Sequence, residues 1–323
     1  GKKYFFYFPF QKSLLLIDDE ADNASINTNK DEDKSTKINE HIRNILRLFD
    51  KSGYVGYTAT PFANIFIPIE EDQLFPRDFI INIQAPSNYI GPEKVFGIKV
   101  LEDDEVSDSV LPIVNKIEDY EDFVPNGHKR DSELPDSIPD SLRLAIKSFI
   151  ITCAVRRFRG QQAVHNSMLI HVSRFTNWQE HIKELVENVF DFYRRGIEMK
   201  IPSIVEEMRE VFEVDTDNYK SYKAVSQQIK NTELKNVDSA TQTHEWLDIV
   251  KHLHEAAVRI QVKKINGGSA DVLNYYEHKN GLSVIAVGGD KLSRGLTLEG
   301  LSVSYYLRAS RMYDTLMQMG RWF

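Results

Sequence analysis

The chain has 323 residues, 27% of them charged and 41% hydrophobic, a balance that excludes collagen, a coiled-coil rod and wholesale disorder and leaves length for two domains. Its 40 basic and 48 acidic side chains give −8, so net charge does not advertise a polyanionic partner. One cysteine, Cys153, excludes an internal disulfide, and no apolar run approaches the roughly 18 residues that a membrane span needs, so a soluble cytoplasmic protein is expected.

Along the chain, the apolar stretches Ser13–Ile17, Gly53–Tyr57 and Phe79–Ile83 predict strands. Between the first two, Ile38, Ile42, Ile45, Leu46 and Phe49 recur at helical spacing. Strand, helix, strand in that order points to a parallel α/β architecture. Residues 101–140 then hold 13 acidic and 3 basic side chains together with Pro112, Pro125, Pro135 and Pro139, and read as an acidic linker or insertion. That segment alone carries −10, so the remainder of the chain is at +2, which leaves room for a local nucleic-acid face. Beyond it, Asp140 is placed as the cap of a helix whose apolar face is Leu142, Ile146, Phe149, Ile150 and Cys153, and Gly160 ends it. Ser167–Val172 predicts a buried strand, and Thr176 is placed as the cap of a second helix with Ile182, Leu185, Val189 and Phe192 on one face. Residues 196–260 read as a mostly helical insertion. Strands return at Ser283–Val287 and Leu301–Leu307, and a last helix is expected from Tyr313.

Four motifs carry chemistry. In LLLIDDEADNAS, Leu14–Ser25, an apolar strand ends in adjacent acids, the Walker B arrangement. A buried strand holds its last carboxylates at the carboxyl edge of a sheet, where one acid can hold Mg²⁺ and the next orient a water. Asp19, Glu20, Ala21 and Asp22 spell the DEAD sequence of helicase motif II. In YVGYTATPFAN, Tyr54–Asn64, a strand runs into Thr58-Ala59-Thr60-Pro61, the motif III pattern, whose hydroxyls can hydrogen-bond the motif II acids. VIAVGGDKLSRGLTLEGL, Val284–Leu301, follows motif V through Asp290, Arg294 and Gly295. Its glycine pair is not a phosphate loop, because G-x-x-x-x-G-K-[ST] is absent there. QMGRWF, Gln318–Phe323, supplies the Gly-Arg core of motif VI, with Arg321 the γ-phosphate arginine. Each motif alone is weak. Their occurrence in order, each on the expected strand or helix, is the signal.

These segments, with SMLIHVSRFTNW, GGDKLSRGLTLEGLSVSYYLRAS and DTLMQMGRWF, resemble the Z-one (Z1) domain family, bacterial and phage-related endonucleases with a superfamily 2 helicase-like ATPase core. The resemblance implies two RecA-like lobes, each a parallel sheet flanked by helices. Residues 1–100 would form a partial first lobe and 101–140 the acidic linker or insertion. Residues 141–323 would form the second lobe, with its helical insertion at about 196–260. It also implies ATP with Mg²⁺ as cofactors and nucleic acid, DNA in particular, as partner, within a restriction or defence complex and without a membrane. Asp19 resembles the Mg²⁺-holding acid and Glu20 the water-orienting base. Asp22, Thr58, Thr60, Asp290, Arg294 and Gly295 resemble nucleotide-coupling residues, and Arg321 the catalytic arginine.

The chain departs from the family pattern in three places. No Walker A occurs in it, Thr297 stands where an acid follows Arg-Gly-Leu, and Met317 stands where motif VI begins with Gln or His. The second motif VI arginine would fall beyond Phe323. The sequence therefore reads as an excised part, cut upstream of motif II and within motif VI. Loss of an arginine finger costs on the order of 10³–10⁵ in rate, so weak or no ATP hydrolysis is expected of these residues alone. The competing reading is a non-catalytic degenerate helicase fold that serves as a DNA- or protein-binding scaffold.

Among the remaining candidates, Arg156, Arg157 and Arg174 could contact nucleic-acid phosphates, or could complement helix dipoles as solvated side chains. Arg308 and Arg311 interleave with Tyr305, Tyr306 and Tyr313 as stacking surfaces do, although Tyr305 and Tyr306 fall on a strand expected to be buried. His165 and His171 bracket a strand without the cysteines or acids of a zinc site.

Overall fold

In the computed structural model the described residues are 10–22, 36–59, 61–67, 69, 74–84, 95–96, 110–216, 219–231, 242–265, 273–289 and 298–307. They belong to two compact units, the first holding the described residues up to 84 and the second those from 95 onward. Both are mixed α/β, with parallel sheets flanked by helices.

The first unit is built on β1 (Phe10–Asp19) and β2 (Phe49–Tyr57), which pair in parallel, with α1 (Lys37–Arg47) between them in sequence and a single turn, α2 (Phe62–Ile65), after them. Residue alternation divides β1 between two faces. Leu14, Leu16 and Asp18 are partly buried, whereas Leu15 and Ile17 on the other face are 64% and 62% exposed. The strand predicted at Phe79–Ile83 does not form: residues 79–84 carry no regular structure, and Phe79, Ile80, Ile81 and Ile83 are exposed. Alternating apolar residues specify a strand only when a neighbouring strand takes up their backbone hydrogen bonds.

The second unit contains a four-stranded, wholly parallel sheet in the order β4-β5-β3-β6, made from β3 (Asn166–His171), β4 (Ile260–Ile265), β5 (Ser283–Gly288) and β6 (Leu301–Tyr306). β3 is buried along its whole length, as expected of a strand covered on both faces. Met168 and Ile170 point into the larger core, together with Phe149, Trp178, Ile182, Ile285 and Val287. Leu169 points into a smaller one with Leu273, Leu282, Val284 and Ala286.

Helices α3 (Asp140–Phe158) and α4 (Thr176–Glu198) flank β3 in sequence. Their starts differ from expectation: the caps are Pro139 and Phe175, and neither helix has a side-chain cap, so Asp140 and Thr176 are the first helical residues. Asp140 still places its charge in the first turn, where the helix dipole favours it. Helices α5 (Pro202–Glu213), α6 (Tyr222–Lys230), α7 (Trp246–Ile249) and α8 (Leu253–Val258) occupy the stretch read as an insertion. Met208, Phe212, Trp246 and Ile249 lie in the same core as the sheet, so these helices are not a separately packed bundle. The acidic segment also joins this core, through Phe123, Val124 and Ile138. Strand β4 follows directly on α8, and periodicity did not announce it because Gln261, Lys263 and Lys264 break its apolar run.

Phe149 is fully buried. Phe149→Ala is expected to cost about 3–5 kcal/mol of the second unit's stability through lost burial and a cavity, read as a shift in denaturant midpoint. His244 adds a pH dependence. It is 7% exposed, its Nε2 accepts from Arg159 Nε at 3.0 Å, and its ring edge meets Phe158. Burial, and then the Arg159 charge, holds its pKa below the usual 6.5. The unfolded chain therefore takes up this proton first, so His244's contribution is complete above about pH 6.5 and is lost as pH falls through the depressed value. The unfolding midpoint should fall between about pH 7 and about pH 5.5, and by less in His244→Gln.

Candidate functional site

The acids of the first unit stand where parallel pairing delivers them, at the carboxyl end of β1. In register, Asp18 faces Gly56 and Asp19 faces Tyr57. The turn that follows is tied to β2 and its exit by four hydrogen bonds. Ala21 N donates to Tyr57 O at 3.0 Å and Asn64 Nδ2 to Ala21 O at 3.0 Å. Thr58 Oγ1 donates to Asp22 Oδ1 at 2.7 Å, and Tyr54 OH to Asp18 Oδ2 at 2.6 Å. The close approach needs small residues: a Cβ on Gly56 would stand 2.8 Å from the Cβ of Ala21, which is 1% exposed. Glu20 adopts φ 60°, in the left-handed region that side chains with a Cβ rarely occupy, and its N–H bonds Asp19 Oδ1 at 3.1 Å.

Thr58 and Asp22 are thus brought together, with Asp19 and Glu20 in the same turn. Asp18 and Tyr54 belong to this set and were missed. The signal lay in the alternation along β1, which puts Asp18 on the same face as Leu16, the register partner of Tyr54. Among the described residues no group of three or more His, Cys, Asp or Glu is arranged to hold a metal. Mg²⁺ does not require one, since it takes one or two carboxylates and completes its shell with waters and substrate phosphates. Asp18, Asp19 and Asp22 each accept a hydrogen bond, from Tyr54 OH, Glu20 N–H and Thr58 Oγ1, and each keeps a second carboxylate oxygen. No G-x-x-x-x-G-K-[ST] segment occurs in the chain to cradle a triphosphate.

In the second unit the carboxyl ends of Ile265, Gly288, His171 and Tyr306 line up in register. The chain passes from β3 beyond its neighbour β5 to reach β4, and from β5 beyond β3 to reach β6. The loops here are linked by Gln179, 3% exposed, whose Nε2 donates to Ser173 O at 3.0 Å. A Cβ on Gly289 would come within 2.2 Å of that nitrogen, so Gly289 is glycine to let the Gln179 amide lie on its backbone. His171 is buried and stacks on Tyr306 at 5.2 Å, and Leu307 N donates to its carbonyl at 3.2 Å.

The arginines divide between opposite edges of this sheet. Arg174 follows β3 at the carboxyl edge, exposed, with its guanidinium 4.9 Å from the centre of the Phe175 ring. Arg156 and Arg157 end α3 at the amino edge. Arg156 donates to His165 O at 2.9 Å and to Gln161 Oε1 at 3.3 Å, and Arg157 pairs with Glu255 at 2.6 Å. They therefore do not share a surface with Arg174. Burial lowers the pKa of Arg156, with Cys153 opposing and Arg159 adding to the effect. Cys153 is buried, accepts from Asn166 Nδ2 at 3.0 Å, and has a thiol pushed up to about 12, which makes it unreactive. Tyr305 is a core residue, 2% exposed and bonded to Ser141 Oγ at 2.8 Å. Thr60, Asp290, Arg294, Gly295, Arg308, Arg311 and Arg321, and the helix expected from Tyr313, lie outside the described residues.

Tyr54→Phe and Thr58→Val each remove the hydroxyl donor to a carboxylate at the motif II turn. Each is expected to cost on the order of 1 kcal/mol at these part-buried positions, measured by denaturant unfolding, whereas Thr58→Ser should keep the bond and the stability.

No curated protein and no solved structure matches the chain. The family model for the Z1 domain matches residues 141–323, more than half of the chain, and begins at α3 and takes in all four strands of the second sheet. The chain belongs to the Z1 domain family.

Proposed function

We propose that the protein is the helicase-like, nucleic-acid-dependent ATPase or translocase core of a restriction- or defence-type endonuclease, acting on DNA, with its two units as RecA-like lobes. The observation that carries this reading is the tie between the motif II turn and the segment after β2, Thr58 Oγ1 to Asp22 Oδ1 at 2.7 Å. A hydroxyl that reads the position of an acid at a carboxyl edge is what couples nucleotide state to movement in such an enzyme.

In this reading Asp19 holds Mg²⁺ and Glu20 orients the water. Bound Mg²⁺·ATP supplies a polarised γ-phosphoryl group. The turn keeps Asp19 and Glu20 in place through Ala21, whose N–H and C=O are both bonded, and through Asp22 on Thr58. Thr60, Asp290, Arg294, Gly295 and Arg321 enter by motif alone. In this reading Arg174, exposed after β3, meets nucleic-acid phosphate. The second reading is a DNA- or protein-binding scaffold on the same fold: a G-x-x-x-x-G-K-[ST] segment upstream of Gly1 would favour the ATPase, and none there the scaffold.

The test is phosphate release by the full-length protein with and without DNA. The expected outcome is DNA-stimulated hydrolysis that falls by about 10²-fold or more in Glu20→Gln. Equal rates in the two proteins would remove Glu20 from its role and leave the scaffold.

A further inference from the structure

At the amino edge of the second sheet a cleft opens between the end of α3 and the end of α8. It holds about 330 Å³ of empty space, counting its open mouth, and its inner part admits a single small group. Arg156, Arg157 and Arg259 line it beside uncharged side chains such as Asn166 and Ser283, and no acid lines it. Glu255, which pairs with Arg157 Nη2 at 2.6 Å, stands outside the lining.

Arginines at a helix end commonly serve the helix dipole. Here the last carbonyls of α3 are already taken by backbone groups. Arg159 N donates to Val155 O at 3.0 Å, Gly160 N to Arg157 O at 2.9 Å and Gln161 N to Arg156 O at 2.8 Å. The guanidiniums turn elsewhere. Arg156, half-buried, donates to His165 O and Gln161 Oε1, both uncharged. Arg259 Nη1 reaches Asn280 O at 3.4 Å. Among the described residues neither Arg156 nor Arg259 makes an ion pair. Arg157, with its side chain 15% exposed, has its Nε closed off from water with no acceptor against it. A buried donor on a charged group is costly to leave unmatched, so this cleft lacks an anion on two counts, charge and hydrogen bonding.

Three guanidiniums less the Glu255 carboxylate leave two positive charges at the cleft. Inorganic phosphate or a phosphate monoester brings about −1.5 to −2 at neutral pH, with at least three acceptor oxygens, and the guanidinium fork meets such oxygens in pairs. A carboxylate, or a diester within a nucleic-acid strand, brings a single negative charge and leaves the other unbalanced. We infer that the cleft is a binding site for a dianionic phosphate, free or as the terminal monoester of a nucleotide or nucleic-acid end. It lies at the opposite edge of the sheet from Ser173 and Gly289 and stands whether or not the protein hydrolyses ATP.

The test is isothermal titration calorimetry of the full chain with inorganic phosphate at low salt, with acetate as the single-charge comparison. Phosphate should bind and acetate should not. Arg259→Gln, at an exposed position that holds no core contact, should weaken phosphate on the order of tenfold. Arg156→Lys, which keeps the charge and loses the fork, should also weaken it. Glu255→Gln, which releases Arg157 to the cleft, should tighten it, an outcome that damage to the fold cannot imitate. A 5′-phosphorylated oligonucleotide and its 5′-hydroxyl twin separate the sources. A preference for the phosphorylated strand that disappears in Arg259→Gln supports the site as one for a nucleic-acid end. Equal binding of the two strands, with inorganic phosphate still bound, supports it as one for free phosphate or a small ester. No phosphate binding, acetate binding as tight as phosphate, or phosphate affinity unchanged in both Arg259→Gln and Arg156→Lys would overturn the site.

Discussion

Parallel strand pairing decides where this protein gathers its polar side chains. Two parallel neighbours cannot be joined by a tight turn, so the chain must cross over between them, and all carboxyl ends gather on one edge of each sheet. In the first unit that edge receives Asp18–Asp22 and Thr58; in the second it receives Ser173, Gly288-Gly289 and Tyr306. The amino edge carries a different set. Arg156, Asn166 and Cys153 satisfy one another and the local backbone there, far in function from Arg174 at the other end of β3.

What the sequence made legible was the part governed by local rules. The Leu14–Ile17 run and the acids behind it announced a strand with a polar end, and the unbroken SMLIHV run announced a strand covered on both faces. The apolar spacing from Leu142 to Cys153 announced α3. Each of those signals is written in neighbouring residues. The failures came where the deciding partner is distant. Phe79–Ile83 has a strand's composition, yet no strand forms there. β4 has a partner and little strand-like composition, because lysines on an edge strand need not be buried. Gln179 gave no local signal at all, since its role depends on Gly289, over a hundred residues away. The Asp18–Tyr54 bond joins residues 36 apart, and only the register between β1 and β2 could have disclosed it.

The acidic segment shows the same limit in another form. Its composition, with 13 acids and four prolines in 40 residues, reads as an acidic linker or insertion. Proline and charge do disfavour regular elements, and none forms between 110 and 139. A chain without helix or strand can still be fixed if its backbone carbonyls find donors and a few apolar side chains find a core. Here Trp178, Asn177 and His181 supply the donors, and Phe123, Val124 and Ile138 supply the anchors. Composition announces the absence of regular structure, while the contacts that fix the segment belong to distant residues and leave no mark within it.

The backbone at Glu20 adopts a conformation that suits glycine better than glutamate. A residue with a Cβ held at φ 60° bears a cost of roughly 1–2 kcal/mol that glycine would not. Glycine, freer in the unfolded chain, would offset only part of that difference. The left-handed backbone disfavours every residue with a Cβ and makes no distinction between glutamate and the others. A library randomised at position 20 and sorted for backbone fit alone would therefore be pulled toward glycine, whatever the side chain contributes.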